Sequence, residues 1–359
     1  MDVDICSQDP ELDNLFSEIS GRKDESIFLF FRRSFEETCK RIAEPKKATY
    51  DSYDLKFYPN IVLKYPIRFS FELSEFTIVS KGLKLHCALW KCNRGIEEIN
   101  CQHNEKSSPP IKSTKAPVSV PCIIYTHTNT RSLADALELQ PLAMTTGCHI
   151  LAFDMPGAGK SEGGLSGSCA AVIRNIDDVI NWATLNLNNP DIIMWARGMS
   201  TAAAVEYTSL SISGGAAKER VKFLVLDSPY CSVKQVIDTV VQKYQEKNSL
   251  FIMAPLFRAC STMFGREVTK ELGSDIYAVK PIDYASSNNT PCLILSAKND
   301  EYIAASHGDQ FLEKWSGPCF LKSIDGGHYS TRSSDNVMLA VDYLQLFLTY
   351  LEFDNFPVN

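Results

Sequence analysis

Beyond Pro121 the chain repeats one unit, a short apolar run followed by a stretch of helical period, and this alternation limits the fold more than any other feature. The runs are 122–125, 149–153, 192–195, 223–226, 292–296 and 320–324. Helical patterns fill the intervals at 132–145, at 170–186 (with Val172, Ile176, Val179, Ile180 and Trp182 in register), in the alanine-rich segment after Ser200, at 309–315 and at 336–351. A short run that is apolar at every position has no face to offer water, so it must be buried on both sides. Strands of that kind alternating with helices imply an α/β fold, a mostly parallel sheet with helices on both faces. Chemistry in such a fold gathers at the carboxyl ends of the strands.

The chain ahead of this unit reads differently. Residues 69–80 and 83–92 are strand patterns joined at Lys81-Gly82, a hairpin turn, and 93–118 is a polar surface loop rich in Ser, Pro and Lys. Residues 48–66, rich in Tyr and Pro, form an extended connector. Residues 26–42 predict a helix with an apolar face, ended by Pro45; it either docks on the main domain or makes a peripheral membrane or partner contact. The expected layout is a poorly ordered terminus over 1–24, an N-terminal helix and connector over 25–67, one domain over 68–351 and a tail over 352–359.

Composition excludes several classes. With 359 residues and 45% hydrophobic content there is ample material for a buried core, and a net charge of −7 without a long basic run argues against nucleic acid as the main partner. The 12 cysteines stand singly, several inside strand runs, as expected of reduced thiols in a cytoplasmic protein. No metal-ligand spacing and no cofactor fingerprint is present, and neither a signal-peptide pattern nor a run of transmembrane length occurs.

The strand ends carry His127-Thr128-Asn129, Asp154 with the glycine-rich 156–163, Gly198, Asp227-Ser228-Pro229, Asn299-Asp300 and Gly326-Gly327-His328. The stretch DIIMWARGMSTAAAV at 191–205 passes from strand to helix through a tight cluster of small residues. This is the outline of a nucleophile elbow, which needs small residues two before and two after its centre because strand and helix backbones approach closely there. Ala196 and Ser200 meet that need, and the central residue is Gly198.

Taken in order, YTHTN, FDMPGAGKSEG, WARGMS, LDSPY, ND and GGH resemble the strand-end motifs of the α/β-hydrolase superfamily, in its serine aminopeptidase-like branch, over residues 68–351. The resemblance implies a nucleophile, acid and histidine in that chain order: Gly198 at the nucleophile position, Asp300 as acid and His328 as base. It also puts Thr128 and Met199 at the oxyanion-hole positions, and makes 233–272 a lid-like helical insertion whose apolar residues suit an apolar ligand and core packing equally well.

Two departures stand out: Gly198 has no side chain with which to attack a carbonyl, and β-branched Thr128 crowds the place of an oxyanion glycine. The literal GxSxG at 159–163 selects Ser161, but it lies in a loop several residues past its strand and matches a structural loop of the family. Ser200 could serve as an alternative nucleophile if the strand runs on through Arg197. Three functions follow: a pseudoenzyme that binds an apolar small molecule or protein partner, a serine hydrolase of esters or amides using Ser200 with His328 and Asp300, or hydrolysis by water activated at His328. Glycine at a strained elbow should keep or raise stability relative to serine.

Overall fold

The computed structural model describes residues 47–57, 69–93, 119–128, 130–164, 169–209, 215–239, 269 and 275–354. The expected helix at 26–42, the polar loop at 94–118 and most of the 233–272 insertion lie outside these residues. The insertion's first turns, over 233–239, are helical.

Among the described residues eight strands form one sheet in the order β1-β2-β4-β3-β5-β6-β7-β8. Strands β1 (Ser70–Ser80) and β2 (Leu83–Asn93) are the hairpin, with Lys81 and Gly82 both at positive φ in its turn. The hairpin joins the sheet antiparallel through β4 (His149–Phe153). The remaining strands, β3 (Cys122–Thr126), β5 (Ile192–Arg197), β6 (Val221–Asp227), β7 (Cys292–Ala297) and β8 (Cys319–Ile324), run parallel.

Because side chains alternate across a strand, each apolar run feeds two cores. Cys122, Ile124, Ile192, Met194 and Ile294 point to one, closed by α2 (Cys169–Asn186), α3 (Ser200–Thr208) and α4 (Ser306–Lys314). Ile123, Tyr125, Ile193, Trp195 and Leu293 point to the other, closed by α1 (Gln140–Thr146) and α5 (Ser334–Asp354). Some segments differ from the sequence pattern. Residues Leu133–Leu139 are a 3-10 helix rather than the first part of a single α-helix, and Pro141 opens α1; proline cannot donate to a carbonyl of the preceding turn. The closing helix runs to Asp354, beyond the boundary expected for the tail.

The connector is more than a spacer. Leu55 is fully buried, its carbonyl accepts from Trp90 Nε1 at 2.8 Å, and Phe57 stacks on the Trp90 ring. Tyr50 donates to Asp154 Oδ2 at 2.5 Å, fastening the segment to the carboxyl edge of the sheet. Residues 52–55 form a turn where the sequence suggested extended chain.

Candidate active site

The carboxyl ends of β3 to β8 bring the candidate residues to one edge. At the end of β5 the chain leaves the strand at Gly198, whose φ of +56° is the left-handed conformation of an elbow centre and favours glycine. Its N–H donates to the Asp227 carbonyl on β6 at 2.8 Å, and its carbonyl accepts from Thr201 N at 3.1 Å as α3 begins. The buried Ala202, Ala203 and Ala204 let that helix lie close on the strand.

Asp300 follows β7 and His328 follows β8. Asp300 Oδ2 lies 2.9 Å from His328 Nδ1, while Asp300 Oδ1 accepts from Tyr302 N at 2.9 Å and Ile303 N at 2.7 Å. Burial acts to raise the Asp300 carboxyl, but the His328 hydrogen bond and charge, with those backbone donors, prevail and hold it below the usual carboxylate range. A carboxylate can only accept, so Nδ1 carries a ring hydrogen, and in the neutral ring Nε2 presents its lone pair. A Cβ built on Gly198 would stand 3.0 Å from that Nε2. Gly198, Asp300 and His328 are therefore brought together, with the imidazole aimed at the elbow.

The same Cβ would overlap the hydroxyl of Thr128 and lie 2.8 Å from its Cβ. Thr128 fills the volume that a side chain at 198 would need. Its Oγ1 also accepts from Met199 N at 3.4 Å, so the N–H of the residue after Gly198 is capped from within the protein. His127, fully buried, fixes this turn: Nε2 accepts from Met155 N at 3.0 Å, leaving Nδ1–H to donate to the Thr128 carbonyl at 2.8 Å.

Ser200 lies apart from this group. Strand β5 does run through Arg197, but Ser200 opens α3 and is 2% exposed. Its hydroxyl contacts the Thr126 carbonyl at 2.9 Å, the Arg197 carbonyl at 3.0 Å, Arg197 N at 3.1 Å and Thr126 Oγ1 at 2.9 Å. With those contacts its oxygen is saturated, and none of its partners is His328. Ser161 accepts from His86 N at 2.8 Å and donates to the Asp154 carbonyl at 2.7 Å, as a loop residue should.

Beneath His328 lies a charged network that the sequence pattern did not single out. Arg197 Nη1 donates to both oxygens of Glu138 at 3.1 and 3.0 Å, and its Nη2 donates to the carbonyls of His328 at 3.1 Å and Ser330 at 2.6 Å. Arg332 grips Asp227 with two bonds, 2.9 and 2.8 Å, and donates to the Gly327 carbonyl at 2.8 Å. Burial opposes ionisation of Asp227, yet Arg332 and Arg197 hold it below the ordinary range; burial pushes Glu138 up to about 7 despite Arg197. These contacts fix the 327–330 backbone, and hence the imidazole. The signal in the sequence was an arginine inside an apolar strand just before the elbow, since a fully buried guanidinium requires partners.

Among the described residues no group of three or more His, Cys, Asp or Glu converges as metal ligands, and no helix is long and apolar enough to cross a membrane.

This order of strands and this placement of strand ends are those of the α/β-hydrolase fold, and solved structures bear the assignment out. An esterase of Pyrococcus furiosus matches over 87% of this chain and 96% of its own, with a TM-score of 0.52 and 16% identity. The Butyrivibrio proteoclasticus esterase Est1E, with ferulic acid bound, matches over 76% and 98% with a TM-score of 0.52 at 17% identity. An enol-lactonase of Burkholderia xenovorans matches over 75% and 100% with a TM-score of 0.50 at 14% identity. At such identities the likeness is one of fold. No protein-family model and no curated protein sequence matches the chain.

Proposed function

We propose that this protein is a hydrolase-fold pseudoenzyme, related most nearly to the serine aminopeptidase-like branch, that binds a small molecule at the Asp300–His328 site and forms no acyl intermediate. One observation carries the reading: the space a serine at 198 would occupy is filled by Thr128, beside an aligned Asp300–His328 pair. A missing nucleophile removes the covalent step, and a capped Met199 N–H removes one donor for a developing oxyanion; each such loss costs orders of magnitude in rate. The hydrogen-bonding of Ser200 supports a structural role for it at the start of α3. Cys87, Cys122, Cys231 and Cys292, buried among the described residues without a disulfide, support work in a reducing compartment such as the cytoplasm.

The test is exposure of the purified protein to a fluorophosphonate serine-hydrolase probe and to p-nitrophenyl butyrate. No labelling and no turnover above buffer are expected. Labelling that disappears in Ser200→Ala would overturn the proposal in favour of a serine hydrolase, and turnover that disappears in His328→Gln without labelling would favour direct activation of water.

A further inference from the structure

We infer that Cys292 and Cys319 form a reversible oxidation site: a hydroperoxide attacked by Cys319 converts the two thiols into a disulfide that staples β7 to β8. The site lies at the starts of these strands, at the edge of the sheet opposite Gly198, Asp300 and His328, and does not depend on how the elbow is read.

The pairing follows from register. Cys292 opens β7, Cys319 opens β8, and the two are direct partners across the parallel ladder. Side chains of such partners point to the same face, and both cysteines belong to the core closed by α4. Neighbouring strands lie about 4.8 Å apart, inside the range of about 4.4–6.8 Å that a disulfide spans between α-carbons. The two sulfurs are already in hydrogen-bond contact. Among the described residues no other two thiols are register partners. Cys122 and Cys148 come near one another at β3 and β4, but Cys122 faces one core and Cys148 the other.

The backbone around the pair is laced together. Cys292 N donates to the Pro318 carbonyl at 2.9 Å, Gly317 N to the Asn288 carbonyl at 3.0 Å, and Trp315 Nε1 to the Thr290 carbonyl at 2.9 Å. The chains approach so closely that a Cβ on Gly317 would overlap the Asn289 carbonyl. Segments 288–292 and 315–319 therefore hold the thiols side by side before any bond forms, and little further freedom is lost when it does.

The two thiols differ in access, which sets the order of events. Cys292 is fully buried, and burial, with the Cys319 sulfur beside it, pushes its thiol well above the ordinary range, so it stays protonated. Cys319 is half-buried and is the member a small oxidant can reach. In the first step the Cys319 sulfur attacks a peroxide oxygen: an S–O bond forms, the O–O bond breaks, and the departing oxygen leaves as water or an alcohol with the thiol proton. In the second, the Cys292 sulfur attacks the Cys319 sulfenic acid: an S–S bond forms, the S–O bond breaks, and the Cys292 proton leaves with that oxygen as water. Two electrons pass from the sulfurs to the peroxide, and a small thiol reductant reverses the change.

The test is treatment of the reduced, full-length protein with hydrogen peroxide, followed by iodoacetamide, trypsin without reductant, and mass spectrometry. Cys292 falls on peptide 271–298 and Cys319 on peptide 315–322, each with a single cysteine. These two should be found joined, lighter than their sum by two hydrogens, and parted by dithiothreitol. Cys292→Ser should leave a Cys319 sulfenic acid that dimedone captures. Peroxide should also raise the urea midpoint of the parent relative to its effect on Cys319→Ser, because a staple that fits the fold restrains the unfolded chain. Absence of the joined pair, Cys319 joined instead to another cysteine, or dimedone capture at Cys292 ahead of Cys319 would overturn the inference in the parent alone. A change in midpoint no greater in the parent than in Cys319→Ser would overturn the staple.

Discussion

A serine placed at position 198 should be tolerated only if Thr128 is removed with it. A non-glycine residue held at φ +56° costs about 1–3 kcal/mol. The new Cβ would overlap Thr128 Oγ1 and approach Thr128 Cβ to 2.8 Å, forcing the side chain or backbone aside at a further cost of about 1–3 kcal/mol. Gly198→Ser should therefore lose about 2–6 kcal/mol. Thr128→Gly alone gives up a buried methyl and a long hydrogen bond, about 1–2 kcal/mol. In the double variant the overlap vanishes, so the two losses should fall short of additivity by about 1–3 kcal/mol. Urea unfolding of the parent, both single variants and the double variant measures this cycle, provided the slopes agree. The fluorophosphonate probe supplies a second readout: the double variant should be labelled, since it presents a hydroxyl to His328 and frees the Met199 N–H, while Gly198→Ser should be labelled far more slowly. Additivity within about 0.5 kcal/mol, or equal labelling of the single and double serine variants, would refute the assignment of Thr128 as the group that fills the elbow.

Other variants should follow from the same contacts. Ser200→Ala strips bonds from the Thr126 and Arg197 backbones and should lose about 1–2 kcal/mol in urea unfolding with no change in probe behaviour. Asp227→Asn leaves the buried Arg197 and Arg332 without their shared counter-charge and should cost about 3–5 kcal/mol, whereas Glu138→Gln, at a carboxyl already pushed up to about 7, should cost less than half of that. Tyr50→Phe should loosen the connector by about 1–2 kcal/mol, read as faster limited proteolysis within 47–57. Asp227 and Asp300 are both held below their ordinary range, so the folded state binds fewer protons than the unfolded one at acid pH. Their stabilisation is complete above the unfolded carboxylate value of about 4 and is lost as pH falls through the folded values; acid titration of the unfolding free energy should show that slope, reduced in Asp227→Asn.

Much of the fold was legible because burial on both faces leaves a direct mark in sequence. Ile192 to Trp195 could be placed on a central strand without any tertiary information, and so could Cys292 to Ser296. The 3-10 turn at Leu133–Leu139 was not legible, because its apolar residues keep a spacing that an α-helix shares, and Pro141 marks the change only once its neighbours are placed. The charged network escaped for a different reason. Glu138, Arg197, Asp227 and Arg332 come from four separate parts of the chain, and periodicity carries no information about which distant charges will pair.

At the elbow, the sequence exposed each departure singly: no hydroxyl at Gly198, a branched side chain at Thr128. What it could not expose is that the two fit each other. The hydroxyl of Thr128 stands where a side chain at 198 would begin, so serine at 198 and threonine at 128 exclude one another by overlap, while glycine at both positions would leave a void beside a buried imidazole. The present pair is the combination that keeps this corner packed. It also explains why the absence of a hydroxyl at position 198 need not disturb Asp300 and His328. Their alignment depends on the Tyr302 and Ile303 amides and on Arg197 and Arg332 from below, none of which contacts position 198 through a side chain. Geometry at the base and packing at the elbow are thus separable, and the imidazole stays aimed at a place now bounded by the Thr128 hydroxyl and the Met199 N–H.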